Sequence, residues 1–319
     1  MKNLNSLLHI SALSAGLALT GPALAGTINF DTNGNTAPGG QSCLALFDWA
    51  PDNMLLDNAV PIPNSPGTIS FTLLMQGSLS SFGSCTGDCA LDAGAEITYS
   101  ARIPTTATIV ATAVGIDFAL HSNIGGTLDI YYDDTDGLGS TGGSAHNQIA
   151  GTGYDDGRLI LSTTVEPGAI GNVNIGSTIV GILDQFNSGN QAGVTTVAIS
   201  GNATYALAVV TFDPFFFIGP GLDTAGTDMT FTTDNTTPFL NSNPSDLVVG
   251  VQPDYDGAGT LSGVNDNLYA FSSPCDIHAE TDARSSFMAQ EDEIPTPATL
   301  AVFGFGLAGL AALRRRRKA

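Results

Sequence analysis

The sequence predicts an all-β protein, an antiparallel β-sandwich of jelly-roll type, with a signal peptide before it and a single C-terminal transmembrane helix after it. Three observations predict this. Short runs rich in Val, Ile, Thr, Tyr and Phe alternate polar with apolar residues. Clusters of Gly, Asp, Asn and Pro separate them. Helical patterns of about 10–15 residues, the mark of β-α-β units, do not intervene between the runs.

The elements follow in chain order. Residues 1–25 read as a signal peptide: Lys2 gives a positive start, Leu7 to Leu19 is mostly apolar, and Pro22-Ala23-Leu24-Ala25 supplies small residues before a cut between Ala25 and Gly26. The body, 26–289, holds the strands. Thr68 to Leu73 and Glu96 to Ser100 alternate cleanly, and Thr108 to Leu120 is a long β-branched run. Thr127 to Tyr132, Arg158 to Val165, Val194 to Ser200, Tyr205 to Phe212 and Met229 to Thr233 continue the series, and Leu268 to Phe271 closes it. Ile179 to Phe186 is the one segment that reads as a helical turn or two. Residues 290–319 form a tether and a tail. In the tail, Pro295-Thr296-Pro297 precedes an uncharged stretch of sixteen residues from Ala298 to Leu313, and then comes Arg314-Arg315-Arg316-Arg317-Lys318-Ala319. As a helix that stretch spans about 24 Å, short of the ~30 Å hydrocarbon core, and the flanking cations can snorkel to the interface. The basic end, 314–319, stays cytoplasmic and everything before the span faces outward.

Charge excludes several function classes. Of nine cations, Lys2 leaves with the head and five leave with the tail, so three arginines face thirty acids and the processed body carries a formal charge of −27. Such a surface has no basic cluster for phosphate, so nucleic acid is excluded as a partner and direct binding to an anionic membrane surface is disfavoured. Self-repulsion keeps the body soluble, and divalent cations would relieve it. Four cysteines remain after processing: Cys43, Cys85, Cys89 and Cys275. An even number in an exported chain favours two disulfides. Three connectivities are possible; the preferred one joins Cys85 to Cys89 and Cys43 to Cys275. A zinc site using Cys85 and Cys89 is the competing reading, disfavoured because exported thiols pair.

Two resemblances rest on motifs. The text Pro295-Thr296-Pro297-Ala298-Thr299-Leu300-Ala301, the Gly-rich span and the Arg run resemble a PEP-CTERM sorting signal, with Thr296 where that family usually has Glu. The body carries Phe47-Asp48-Trp49-Ala50-Pro51-Asp52-Asn53, Gly151-Thr152-Gly153-Tyr154-Asp155-Asp156-Gly157-Arg158-Leu159-Ile160, Phe212-Asp213-Pro214-Phe215-Phe216, Thr237-Pro238-Phe239 and Asp282-Ala283-Arg284-Ser285-Ser286-Phe287. These resemble the flocculation-associated PEP-CTERM proteins, with Asp52 where Gly is usual. The resemblance implies export, transient anchoring in the inner membrane of a Gram-negative bacterium, cleavage by an exosortase near Pro295-Thr296-Pro297, and delivery to the cell surface or matrix. It implies action in flocculation or biofilm with exopolysaccharide, and no catalytic residue.

Catalytic chemistry finds little support in the residues. His9 leaves with the signal peptide, and His121, His146 and His278 remain without a G-x-S-x-G nucleophile turn. Glu96, Glu166, Glu280, Glu291 and Glu293 do not nominate a glycosidase pair, and no phosphate-cradling loop is present. The chain is therefore read as a non-enzyme without a cofactor. Calcium is the strongest inorganic candidate: Asp129 to Gly137 gathers carboxylates, with Asp133, Asp134 and Asp136 as weak ligand candidates. A solvated acidic turn explains the same residues, and EF-hand spacing fails because Tyr132 holds the first position. Trp49 and Phe215-Phe216-Phe217 are assigned to the core in preference to a sugar platform. The alternative function is a carbohydrate-binding module for exopolysaccharide; a secreted hydrolase ranks below it.

Overall fold

The structure is a computed structural model, and it describes residues 27–34, 41–62, 65, 67–87, 89–111, 116–134, 143–182, 192–218, 222, 227–236, 239–254 and 275–288. Every regular element among them is a strand. In chain order they are β1 (Ile28–Asp31), β2 (Gln41–Leu44), β3 (Leu46–Trp49), β4 (Asp52–Pro61), β5 (Thr68–Gly83), β6 (Thr86–Gly87), β7 (Ala95–Ala111) and β8 (Ile116–Ser122). Then come β9 (Thr127–Asp134), β10 (Arg158–Val165), β11 (Gly168–Ile182), β12 (Ala192–Phe212), β13 (Phe217–Ile218), β14 (Thr227–Thr236) and β15 (Cys275–Phe287).

Eleven of these strands form one antiparallel sheet. Three pairs within it lie end to end and act as single interrupted strands. β3 and β4 both run between β5 and β15. β8 and β9 lie in line along β7, and β10 and β11 lie in line along β12. Pro51 and Pro167, which cannot donate to a ladder, sit at two of the breaks, and Asn123 to Gly126 forms the third. Eleven strands less three joins leaves eight staves, each paired with its neighbours in sequence, and β15 pairs back onto β3 and β4. The sheet therefore closes on itself as an up-and-down barrel. The expected antiparallel all-β class holds, and opposite walls pack face to face as sandwich layers do. The path of the chain differs from the jelly-roll expectation: each stave pairs with the next in sequence, where a jelly roll would cross over.

The interior is filled. Ile97, Tyr99, Ala101, Ile103 and Ala107 of β7 are all buried, alternating along the strand, and β5, β12 and β14 repeat the pattern. Tyr99 meets Phe231 from the opposite wall at 5.2 Å between ring centroids, and Trp49 at 4.8 Å. Gly77, directly opposite Tyr99 in register, makes room for that ring; a Cβ there would lie 2.6 Å from it. A second sheet of β13, β1, β2 and β6 closes one end of the barrel. Its Phe30 packs on Phe47, Phe82, Phe216 and Phe217, forming an aromatic plug. On the outside, Asp117, Asn172, Asn202, Asp234 and Asp282 alternate with the inward apolar residues. This is the inverse of a barrel that faces lipid. No helix among the described residues is long and apolar enough to cross a membrane.

Two sequence expectations change. Residues 179–182 of the expected helical turn belong to β11, where Ile179 and Val180 pair with Thr196 and Thr195. A short apolar run carries no period that separates helix from strand, and β-branched residues prefer the strand. The runs Val194 to Ser200 and Tyr205 to Phe212 are one strand, β12. The Gly201-Asn202 between them looks like a turn, but Gly201 and Gly171 are glycines of close approach. Added Cβ atoms would lie 2.5 Å from Asn172 O and 2.2 Å from Asn202 O. The Leu268–Phe271 run lies outside the described residues.

Candidate functional site

Two excursions, 143–157 between β9 and β10 and 239–254 between β14 and β15, fold over the outside of the barrel. They bury a seam of polar side chains against its wall, and Asp52 is the hub. Its carboxylate accepts hydrogen bonds from Tyr154 Oη (2.5 Å), Asn53 N (2.7 Å), Gln76 Nε2 (3.4 Å) and Gln148 Nε2 (3.4 Å). Burial raises the Asp52 pKa, and these donors pull it part of the way back. The Tyr154 phenol is pushed well above its ordinary value by burial and by Asp52. The glycines of the 151–157 motif serve this geometry: Gly151 and Gly153 have positive φ, and a Cβ on Gly151 would lie 2.5 Å from Leu247 O of the other excursion.

The second excursion is held in the same way. Glu280 accepts from the backbone N–H groups of Leu240 (2.9 Å), Asn241 (2.5 Å) and Ser242 (3.0 Å). Val248 and Val251 close a two-residue hairpin whose Val249 has φ +49°, a strained value for a β-branched residue. The strain is held by Gln76 Oε1, which accepts from Val249 N at 2.7 Å, and by Arg102, which donates to Val249 O at 3.2 Å. Underneath, Leu55, Leu74, Val248 and Val249 form a small apolar cluster of their own.

The histidines settle differently. His146 Nδ1 lies 2.7 Å from Glu96 Oε2, its backbone N–H donates to Glu96 Oε1 at 2.8 Å, and its ring stands 5.3 Å from Tyr154. Glu96 raises the His146 pKa against the lowering effect of burial. A carboxylate-oriented imidazole is two thirds of a nucleophilic triad, but no described hydroxyl or thiol hydrogen-bonds to this one. Its present work is to pin the first excursion. His278 is buried on β15, with Nε2 at 2.8 Å from Asn53 Oδ1 and Nδ1 at 3.2 Å from Pro244 O; burial lowers its pKa to about 3. His121 pairs with Thr106 and Ala169 in the sheet, its side chain exposed.

A second feature lies on the exposed wall. Asn172, Asn202, Asp234 and Asp282 stand directly opposite one another across β11, β12, β14 and β15. Together with Asp117 and Asn174, most of this row lines an open groove of about 640 Å³. Asn174 Nδ2 donates to Asp117 Oδ1 at 2.5 Å. Beyond it, Asp48 and Arg284 sit side by side. The Asp282 pKa is raised by burial and then by Asp48 and Asp234.

The sequence-predicted sites fare unevenly. Cys85 and Cys89 form a disulfide. Cys43 on β2 carries a free thiol, and the side chain of Cys275 lies outside the described residues. Asp133 is buried and Asp134 half-buried at the end of β9; Asp136 lies outside the described residues. No three His, Cys, Asp or Glu side chains among the described residues are grouped to hold a metal ion. Trp49, Phe216 and Phe217 are core residues, while Phe215 is half exposed and packs under Arg158. Ala25, Gly26, Pro295, Thr296 and Pro297 lie outside the described residues. The seam and the polar row were missed by sequence reading. The available signal was Asn or Asp beside an inward residue: Asn172 and Asn174 around Val173, Asn202 before Ala203 and Asp234 after Thr233. No protein-family model, curated protein or solved structure matches this chain.

Proposed function

We propose that this chain is an exported surface or matrix protein of a Gram-negative bacterium, sorted by an exosortase and acting in flocculation or biofilm with exopolysaccharide. The observation that carries the reading is the order at the carboxyl end: Pro295-Thr296-Pro297, the uncharged Ala298–Leu313 span, then five cations. In this reading the signal peptide is cut between Ala25 and Gly26. The span then holds the protein transiently in the inner membrane as a helix, with 314–319 on the cytoplasmic side. Exosortase cleavage near the proline pair releases a barrel whose outer face is polar and whose net charge is −27, from three cations and thirty acids. Such a body mixes with a hydrated matrix and not with lipid. It acts without a catalytic centre or a resident cofactor.

Deleting Pro295 to Ala319 tests the reading. The truncated protein is expected to leave the cell-surface fraction, and floc formation is expected to fall. A truncated protein in the same fraction, with cells that still clump, overturns it.

The groove along Asn172, Asn202 and Asp234 favours one alternative, a carbohydrate-binding module. Amide and carboxylate groups at regular strand spacing offer both donors and acceptors to sugar hydroxyls. That reading expects saturable binding of the purified exopolysaccharide, weakened severalfold by Asn202→Leu. Non-saturable uptake, indifferent to the substitution, returns the protein to the bulk-matrix role.

A further inference from the structure

The two ends of the barrel are built differently. The end beneath β1 and β13 is stoppered by phenylalanines. Toward the other end, between β4, β5, β8, β11, β12, β14 and β15, the core contains a narrow cavity of about 20 Å³. Its lining is almost wholly apolar, including Met54, Leu73, Leu120 and Ile277. The apolar walls of such a void lose dispersion contacts that an apolar guest would restore.

Two residues with polar groups interrupt the lining, Tyr205 with its phenol and Asn235 with its amide. Asn235 on β14 is 2% exposed and points inward, in line with Met229, Phe231 and Thr233. Its Nδ2 reaches Thr233 Oγ1 at 3.3 Å, but its Oδ1 has no hydrogen-bond partner. Directly opposite in register, Thr281 on β15 is 1% exposed, and its Oγ1 is also without a partner. Two orphaned polar atoms on neighbouring strands keep the desolvation penalty of groups taken from water and left unmet. Oδ1 needs a donor, and the threonine hydroxyl can donate or accept. One hydroxyl group placed between them satisfies both.

We propose that the barrel interior binds a slender amphiphile, a single aliphatic chain ending in a hydroxyl group. The hydroxyl donates to Asn235 Oδ1 and accepts from Thr281 Oγ1. The chain lies along Leu73, Leu120 and Met54, which are unbranched at Cβ and can change rotamer to widen the slit. A carboxylate in place of the hydroxyl is disfavoured on two counts. Asn235 Oδ1 would face a second acceptor, and no cation is among the described residues lining the cavity.

The test uses the full chain in detergent-free buffer, titrated calorimetrically with 1-hexanol and, separately, with sodium hexanoate. The expected result is saturable one-to-one binding of the alcohol and at least tenfold weaker binding of the carboxylate. Asn235→Leu and Thr281→Val each lower hexanol affinity about tenfold in folded protein, and Leu73→Trp, which fills the slit, abolishes it. Two variants with different demands on folding keep the outcome readable. The proposal is overturned if hexanol shows no saturable heat, or if folded Asn235→Leu and Thr281→Val bind it like the parent. It is also overturned if a crystal grown with hexanol shows only an ordered water between Asn235 and Thr281.

Discussion

His278 shows what a single buried group does to the pH response. Its pKa is lowered from 6.5 to about 3 by burial, so the unfolded chain binds a proton in this window and the folded one does not. Its contribution to stability is therefore complete above pH 6.5 and is lost as pH falls toward 3, to a limit of about 5 kcal/mol. Asp276, two residues earlier on β15, works in the opposite sense. Burial raises it to about 6, so its contribution is present at low pH and is lost as pH rises from 3.8 through 6. His146, raised by Glu96, also favours the acid side and loses its contribution as pH rises above 6.5. The slope of stability against pH in urea unfolding between pH 4 and 7 sums these opposing contributions, and single variants separate them. Relative to the parent, His278→Gln should keep more of its stability as pH falls, and Asp276→Asn should keep less. A slope unchanged by His278→Gln would mean that the imidazole is not held neutral. At the same scale, Tyr154→Phe removes a hydrogen bond to a buried carboxylate and should cost about 2 kcal/mol by denaturant titration. Asp52→Ala should cost more, because the buried Tyr154 hydroxyl and Asn53 N lose their acceptor at once, while Gln76 and Gln148 keep only the carbonyls of Leu247 and Asn241.

Within the strands, the packing of β5 against β7 makes the sharpest demand on sequence. Gly77 and Tyr99 share one rung, and the ring occupies the space a side chain would take. Gly77→Val is a better strand former by propensity, yet it is expected to lower the unfolding free energy by about 1–3 kcal/mol through overpacking. Thermal unfolding followed by near-ultraviolet circular dichroism would also report the displaced Tyr99 and its neighbour Trp49. The pair illustrates what the sequence could and could not convey. Strands such as Arg158 to Val165 were legible residue for residue, since period-two alternation with turn residues at both ends has one good solution. β15 was not legible, because Asp276, His278 and Glu280 look solvent-facing but are buried beneath residues 239–254. β11 and β12 were blurred for a related reason: Gly171 and Gly201 signal turns in isolation and close strand contact in the fold. The barrel path itself is a long-range property. Which stave pairs with which, and that β15 returns to β3, is not encoded in any local window. The Asp52 seam shares that limit, since Gln76, Gln148 and Tyr154 lie 24, 96 and 102 residues from it.

The charge of the whole molecule meets the fold along the row of Asn172, Asn202, Asp234 and Asp282. Of the three arginines in the body, Arg158 is committed to Asp213 and to Phe215 and Phe216, and Arg102 to Val249 O. Only Arg284 stands in the acidic band, beside Asp48. Asp234 and Asp282 face each other directly across β14 and β15, an arrangement of like charges that destabilises a sheet by about 0.2–1 kcal/mol. Burial raises the Asp282 pKa first, then Asp48, and then this same repulsion from Asp234. A divalent cation relieves such crowding more effectively than sodium at equal ionic strength, because it neutralises two carboxylates where a monovalent salt only screens them. Calcium at about 1 mM is therefore expected to raise the midpoint of thermal unfolding and to increase light scattering of the isolated protein relative to sodium chloride of matched ionic strength, and a chelator should reverse both. Asp282→Asn should raise the calcium-free midpoint and shrink the calcium increment, because it removes the repulsion that the cation relieves. If calcium and sodium act alike at matched ionic strength, diffuse screening is sufficient, and the acidity of the barrel keeps molecules apart without linking them. If the increment survives Asp282→Asn intact, the cation acts elsewhere on the acidic surface and the row on β14 and β15 is not its seat.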